Sequence, residues 1–450
     1  MTSGRPAVLM TRFALPLMFA NILQLLFTVA DGAIVGRMLG IDAFAAVGAT
    51  ASVHWLVLSA ILGISHGFET VFAQRYGAGD KEGFKKVFVA AVYLFVAIGS
   101  LLALFGLLTS APLLAVLGTP DALFDDALLY LRILLGGIPI AFAFNVLAGM
   151  LRALGDSVTP FRAMLFAMAV NTGLTIALSA PFGLAGAAAA TLVSQGLACV
   201  YSLMVLRKTG VIDACGRRFC LISARSLLRL GLPLFFRNGV IEVGGLFVQR
   251  FVNYYGVEFV AGIAAAKRMY SMLVVVGSAL EASVGIFVAQ NFGAGDIKRI
   301  KQGVAVGRKL FMLSAGFMTA LSILGSRFFI GLLISGDPAR LEDILLIGTT
   351  QLNVMALGLP VLSLLLLYRS ALQGMGNAVI PMLSGFLELA ARIAVLAIFA
   401  GIWGRWAVYT AVVSGWLAAA VLLVVSYYKV IGKQCRQLKT LGLCPKPRKL

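Results

Sequence analysis

The chain has 450 residues, 60% of them hydrophobic and only 12% charged, with a formal net charge of +19. Soluble domains carry about 25% charged residues, so a purely aqueous protein is excluded. In a soluble chain such a charge would point to nucleic acid, but here the Lys and Arg lie between apolar runs, and no nucleic-acid partner is expected. Apolar runs longer than about 18 residues recur, each long enough to cross a bilayer as a helix. Segments of about ten alternating residues, the mark of a membrane β-barrel, are not seen. The expected class is all-α: a polytopic membrane protein.

In chain order the expected spans are 12–35, 48–74, 86–110, 124–150, 160–180, 184–206, 226–250, 258–290, 304–326, 342–368, 379–400 and 407–429. Residues 1–17 lack a short apolar core followed by a small-residue cleavage site, so the first run is expected to remain a helix. That span carries Asn21, Gln24, Thr28 and Asp31, three or four residues apart and therefore on one helical face. An ionised Asp at mid-bilayer costs about 2.5–3.5 kcal/mol, and such groups usually face a bundle interior or a wet cavity. Asp31 could carry a proton or a small cation there, or be a structural carboxyl hydrogen-bonded to its neighbours; it lies near the outer end of its span. Span two ends in Ala73-Gln74-Arg75-Tyr76-Gly77-Ala78-Gly79-Asp80 and holds His66 and Glu69 on one face. Pro112, Pro120, Asp121, Asp125 and Asp126 separate spans three and four, and Pro181-Phe182-Gly183 separates five and six.

Span seven repeats the polar-stripe pattern with Asn238, Glu242, Gly245 and Gln249. Glu242 falls near its middle and is a candidate coupling or substrate-binding acid; pairing with an Arg on another helix is the alternative. Arg237 lies about 140° away around the helix and need not be that partner. Span eight ends in Ala289-Gln290-Asn291-Phe292-Gly293-Ala294-Gly295-Asp296, a second copy of the phrase that closes span two. Glu388 and Arg392 in span eleven stand four apart, a spacing suited to mutual neutralisation. Arg132, Lys267 and Arg268 have long side chains that can snorkel or make a cavity attractive to anions. The basic stretch after Lys429 is expected to be solvated and disordered, near anionic lipid.

The repeat extends further. Arg12-Phe13-Ala14-Leu15-Pro16-Leu17 matches Arg229-Leu230-Gly231-Leu232-Pro233-Leu234, and Leu154-Gly155-Asp156-Ser157-Val158-Thr159-Pro160 resembles Met375-Gly376-Asn377-Ala378-Val379-Ile380-Pro381. Three markers in register imply two halves of six spans each, as parallel repeats. The expected organisation is an N-terminal lobe 1–207, a linker 208–224, a C-terminal lobe 225–431 and a basic tail 432–450. In the doubled phrase, Gly supplies a tight turn and Asp can cap the following helix. With both ends assigned to the cytoplasm, only Arg37, Arg250, Arg327, Arg340 and Arg405 of the 37 Lys and Arg fall in outer loops. The positive-inside rule therefore puts both termini inside. The sequence has no GxxxxGK[ST] loop, no catalytic triad and no metal-ligand spacing; its five Cys form no CxxC pair. Neither an enzyme nor a resident cofactor or metal is expected.

These motifs together resemble the multidrug and toxic compound extrusion (MATE) transporters over nearly the whole chain. The residues that carry the likeness run from Pro16 to Asp31-Gly32-Ala33-Ile34-Val35-Gly36-Arg37, with both AQxxGAGD phrases, Arg152-Ala153-Leu154-Gly155-Asp156 and Pro233. The resemblance implies twelve helices in two six-helix lobes around a central cavity. It also implies export of organic, often cationic compounds by alternating access, in exchange for H⁺ or Na⁺. Asp31 resembles the family's first-helix acid, Asn145 the polar residue of helix four, Asn171 the helix-five Asn, Thr191 the helix-six Thr and Glu242 the helix-seven Glu of one branch.

Two positions depart from the family. Thr175 stands where many relatives have Asp, and Leu362-Ser363 where another branch has an acid. Hard cations want several oxygen ligands, so a lobe with one principal acid favours H⁺ over Na⁺. The expected ion-coupling residues are Asp31, Glu242, Asn171, Thr175 and Thr191. Asn21, Gln24, Thr28, Asn145, Asn238 and Gln249 are expected to line the substrate cavity. The alternatives weighed are a flippase or exporter of a lipid-linked saccharide or another anionic substrate, and a non-transporting scaffold or channel. The expected partners are small molecules and the lipid bilayer, with a monomer in the inner cell membrane.

Overall fold

The structure is a computed structural model that describes residues 1–212, 218–334 and 338–440, without the side chains of 28–30, 338–339 and 435–440. Among the described residues every regular element is a helix. They are α1 (Pro6–Leu39), α2 (Ile41–Gly77), α3 (Lys81–Val116), α4 (Asp121–Gly136), α5 (Ile138–Ala153), α6 (Val158–Lys208), α7 (Leu221–Tyr254), α8 (Val257–Gly293), α9 (Ile297–Gly331), α10 (Pro338–Gly374), α11 (Val379–Trp403) and α12 (Arg405–Thr440). Ten are long and apolar enough to cross a membrane, and the bent pair α4–α5 makes an eleventh. α12 continues through Thr440, into the stretch expected to be a disordered tail; 441–450 lie outside the described residues, as do 213–217 of the expected linker.

Two expected spans are built differently. Span four breaks at Gly137 with a 44° bend. Pro139 explains the break: it lacks an N–H and its ring would crowd the carbonyl four residues back. Spans five and six are the two arms of α6, whose 51 residues contain one non-helical position, Gly183 at φ 57° and ψ −138°. At about 1.5 Å per residue, Asn171 and Thr191 would be some 30 Å apart in a straight helix. Their side chains meet at 3.2 Å, so the chain doubles back at Gly183. Helices also overrun the expected spans, α2 covering 41–77 where the apolar run suggested 48–74. Hydropathy marks the hydrocarbon segment, whereas the caps mark the helix.

The doubled phrase is a helix stop followed by a helix start. Asp80 N donates to Arg75 O at 3.1 Å and Gly79 N to Tyr76 O at 3.0 Å, with Gly79 at φ 70°. This is a Schellman closure, for which a left-handed glycine is preferred. Asp80 Oδ1 then accepts from Gly83 N at 2.7 Å and caps α3. The second copy repeats each bond: Asp296 N to Asn291 O at 2.9 Å, Gly295 N to Phe292 O at 3.1 Å, and Arg299 N to Asp296 Oδ1 at 2.8 Å. The Gly83 N–H, with the Arg75 guanidinium at 2.8 Å, holds the Asp80 carboxyl below the usual carboxylate range. The Gly155-Asp156 and Gly376-Asn377 turns close in the same way, Thr159 N donating to Asp156 Oδ1 and Ile380 N to Asn377 Oδ1.

The helices pack into two compact units, one of residues 12–239 and one of residues 1–11 with 240–450. These are defined by packing; the lobe division around 208–224 remains a proposal built on the sequence repeat. In the first unit the opening part of α7 lies in backbone contact with α2. A Cβ at Gly67 would stand 2.5 Å from Gly231 N and Cα, and one at Gly63 would stand 2.5 Å from Leu234 O. Gly63 and Gly67 are four apart, the small-residue spacing that lets membrane helices touch through their backbones. In the second unit, Val252, Phe259, Ile347, Leu396, Val408 and Tyr409 form an apolar core. α9 exposes Leu313, Phe317, Leu324 and Phe328 along one side, as a lipid-facing helix should.

Candidate functional site

In the first unit the structure brings together four of the residues singled out from the sequence. Asp31, on α1, sits beside the first arm of α6, whose Asn171 meets Thr191 of the second arm. Thr175 Oγ1 lies 3.4 Å from Asp31 Oδ1 and 3.3 Å from the Asn171 amide. The Asn171 amide is oriented by its hydrogen bonds. With its oxygen turned to Thr191, it accepts from Thr191 N at 3.1 Å and donates to Asp31 Oδ1 at 3.2 Å. Asn171 and Thr175 are buried, at 1% and 0% exposure, and Asp31 is half-buried. The doubling-back at Gly183 makes the cluster possible, because it carries Thr191 to the level of Asn171.

A fifth member, Tyr130 on α4, is buried within electrostatic range of Asp31. Sequence reasoning missed it: a single tyrosine in an apolar run gives no periodic signal. The chemical character of the cluster is one carboxylate ringed by neutral hydrogen-bonding groups. Among the described residues no three His, Cys, Asp or Glu side chains gather as a metal site would require.

Asn21 is half-buried and Gln24 exposed, while the Thr28 side chain lies outside the described residues. Asn145 donates to Ala141 O of its own helix at 2.8 Å. Asn238 donates to Ser59 O at 2.7 Å and accepts from Arg237, whose Nη2 is 2.8 Å away.

Glu242 belongs to the second unit. Its orientation follows from Gly244, two residues on. A Cβ at Gly244 would meet Leu389 Cδ1 at 3.0 Å and Arg392 Nη1 at 3.7 Å, so that side of α7 faces α11. Two residues correspond to about 200° of helix, which points half-buried Glu242 to the opposite side of α7. Gly245, on that stripe, has nothing within 4 Å of its would-be Cβ. Gln249 donates to Asn253 Oδ1 at 2.9 Å.

Three other acids within spans, Glu388, Glu69 and Glu281, accept hydrogen bonds from arginines. Glu388 accepts from Arg392 on its own helix, as the spacing predicts. Glu69 receives a two-pronged hydrogen bond from Arg152, both at 2.8 Å, and His66 Nδ1 lies 3.3 Å from it. Glu281 receives the equivalent fork from Arg369 at 2.9 and 3.3 Å. Counted back from the turn glycines Gly79 and Gly295, and Gly155 and Gly376, both members of the second pair sit one helical turn, about 6 Å, further from the turns. The duplicated scaffold has kept the ion pair and moved it deeper.

Comparison with known proteins agrees with this architecture. The MatE family model matches residues 16–177 and 233–398. The chain is 33% identical over 302 residues to the probable multidrug resistance protein YpnP of Bacillus subtilis, covering 66% of this chain and 68% of that protein. It is 25% identical to the probable multidrug resistance protein NorM of Thermotoga maritima, covering 84% of this chain and 82% of that one. A crystal structure of MATE in the bent conformation superposes with a TM-score of 0.89 at 22% identity, over 96% of this chain and 97% of that one. These matches do not favour the saccharide flippase. The helical fold and the family match over most of both halves place this chain in the MATE family: it is a bacterial multi-pass membrane transporter of small molecules, related to multidrug exporters, and not an enzyme.

Proposed function

We propose that this transporter exports amphipathic organic compounds, often cationic, by alternating access, and that proton entry drives the export. The observation that carries the ion assignment is the partner set of Asp31: the Thr175 hydroxyl at 3.4 Å and the Asn171 amide, which can accept from Thr191 N only with its NH2 turned to Asp31. The amide oxygen is then committed to Thr191 N. A bound Na⁺ would need oxygen atoms turned towards it, whereas Asp31 is offered an N–H. One carboxylate among hydrogen-bond donors suits a group that loads and releases a proton. Glu242, turned away from α11, is the second acid of the proposal, placed to meet a cationic substrate or a second proton. Asn21, Gln24, Thr28, Asn145, Asn238 and Gln249 are the proposed polar lining of the substrate path.

The test is purified protein in liposomes with a fluorescent organic cation. An imposed proton gradient should drive dye movement and a Na⁺ gradient of equal size should not. Na⁺-driven transport without a proton requirement would overturn the ion assignment. We further propose that the protein works as a monomer in the inner membrane with both termini cytoplasmic. A cysteine placed at Leu450 in an otherwise Cys-free variant should resist a membrane-impermeant thiol reagent in intact cells and react after lysis; reaction in intact cells would refute that orientation.

A further inference from the structure

At the C-terminal end of α12, an open groove of about 760 Å³ is lined by Val424, Val425, Tyr428, Lys429, Gly432 and Lys433. Its chemistry changes in one direction along the helix. Val424 and Val425 come first, from the apolar body of the span. Tyr428 follows one turn later, 54% exposed, and exposed Lys429 and Lys433 come last. Gly432 lies on the same stripe as Tyr428, and a Cβ there would meet nothing within 4 Å. The groove floor is therefore open because this position has no side chain.

The tyrosine is held in place from behind. Its hydroxyl is 3.4 Å from that of Tyr368 on α10, and the Tyr368 ring packs at 5.1 Å from Tyr427 and 6.1 Å from Tyr428. Tyr368 and Tyr427 are buried, and exposed Arg308 of α9 is hydrogen-bonded to Tyr368. Among the described residues no acidic residue lines the groove. The other half of the duplication lacks this arrangement. Aligned on the turn glycines, Leu147, Leu206 and Arg207 stand where Tyr368, Tyr427 and Tyr428 are found. The sequence repeat does not require the cluster, which is found at these positions of the second half and not at those of the first.

We propose that this groove binds one anionic phospholipid of the leaflet at that end of α12. The phosphate sits between Lys429 and Lys433 with Arg308 nearby, the Tyr428 hydroxyl meets the glycerol level, and an acyl chain lies along Val424 and Val425. An apolar wall, an interfacial aromatic and a basic rim in that order match the polarity profile of a leaflet. A free phosphate would have no use for the apolar wall.

The full chain in phosphatidylcholine nanodiscs, doped with spin-labelled phosphatidylglycerol or spin-labelled phosphatidylcholine, tests this. The wild type should immobilise phosphatidylglycerol selectively. Lys429→Gln with Lys433→Gln should weaken that selectivity by about fivefold or more. Lys298→Gln with Lys301→Gln, the same charge change elsewhere on the unit, should leave it intact. Gly432→Leu fills the groove at constant charge and should also abolish it, which diffuse attraction would not predict. Equal immobilisation of both lipids, equal loss in the two lysine pairs, an unaffected Gly432→Leu protein, or displacement by millimolar inorganic phosphate would each overturn the proposal. Thermal melting of every variant separates lost binding from lost folding.

Discussion

Asp31→Asn is expected to reduce proton-driven dye transport to the level of protein-free liposomes while leaving the protein folded. The substitution is nearly isosteric. The new side-chain oxygen can still accept from Asn171 Nδ2 and Thr175 Oγ1, which lie 3.2 and 3.4 Å from Asp31 Oδ1. What is lost is the ability to take up and release a proton. The neighbours should behave differently. Thr175→Val removes a hydroxyl within hydrogen-bond distance of Asp31 and Asn171 that carries no coupling proton, and should slow transport by less than about tenfold, the scale of a hydrogen bond worth about 1 kcal/mol. Retention of gradient-driven transport by Asp31→Asn would remove this acid from the mechanism. Equal losses in Asp31→Asn and Thr175→Val, with normal melting of both, would mean that the cluster acts through its geometry rather than through the carboxyl proton.

Legibility in the sequence followed the range of each interaction. The apolar runs, the repeat and the Glu388–Arg392 pair were readable because each is local: a run length, a phrase, an i,i+4 spacing. The turn chemistry of the doubled phrase was readable for the same reason, and Asp80 and Asp296 do cap the next helix. The Asp31 cluster was only half legible. Asp31 stood out as a charge in an apolar run, but Asn171, Thr175 and Thr191 entered through the family resemblance, because contact between α1 and α6, and between the two arms of α6, leaves no trace in spacing. Glu69–Arg152, 83 residues apart, and Glu281–Arg369, 88 apart, were not foreseen. Only a fold that sets α2 against α5, and α8 against α10, makes those pairs. The break at Gly137 was hidden by a uniformly apolar stretch, although Pro139 was in plain view.

Breaking either fork should be among the costliest single substitutions in its unit. Arg152→Ala leaves Glu69 buried, with only His66 as a nearby cationic group. Removing one partner of a buried ion pair typically costs about 3–5 kcal/mol, because the remaining charge is stranded. Arg152→Met with Glu69→Gln removes both charges and should recover much of that loss, since replacing a whole buried pair is often close to neutral. Arg369→Ala should cost less than Arg152→Ala. The charge it strands, Glu281, is 23% exposed, whereas Glu69 is 5% exposed, and the more buried carboxylate loses more when its arginine is removed. The His66 ring, 45% exposed, lies 3.3 Å from Glu69 and can still hydrogen-bond to it. Denaturant unfolding of the purified single and double variants measures the difference. If the double variant is as unstable as Arg152→Ala, the fork is not what holds α5 to α2, and the cost lies in packing lost around Gly149, whose would-be Cβ stands 3.3 Å from Glu69 Cβ.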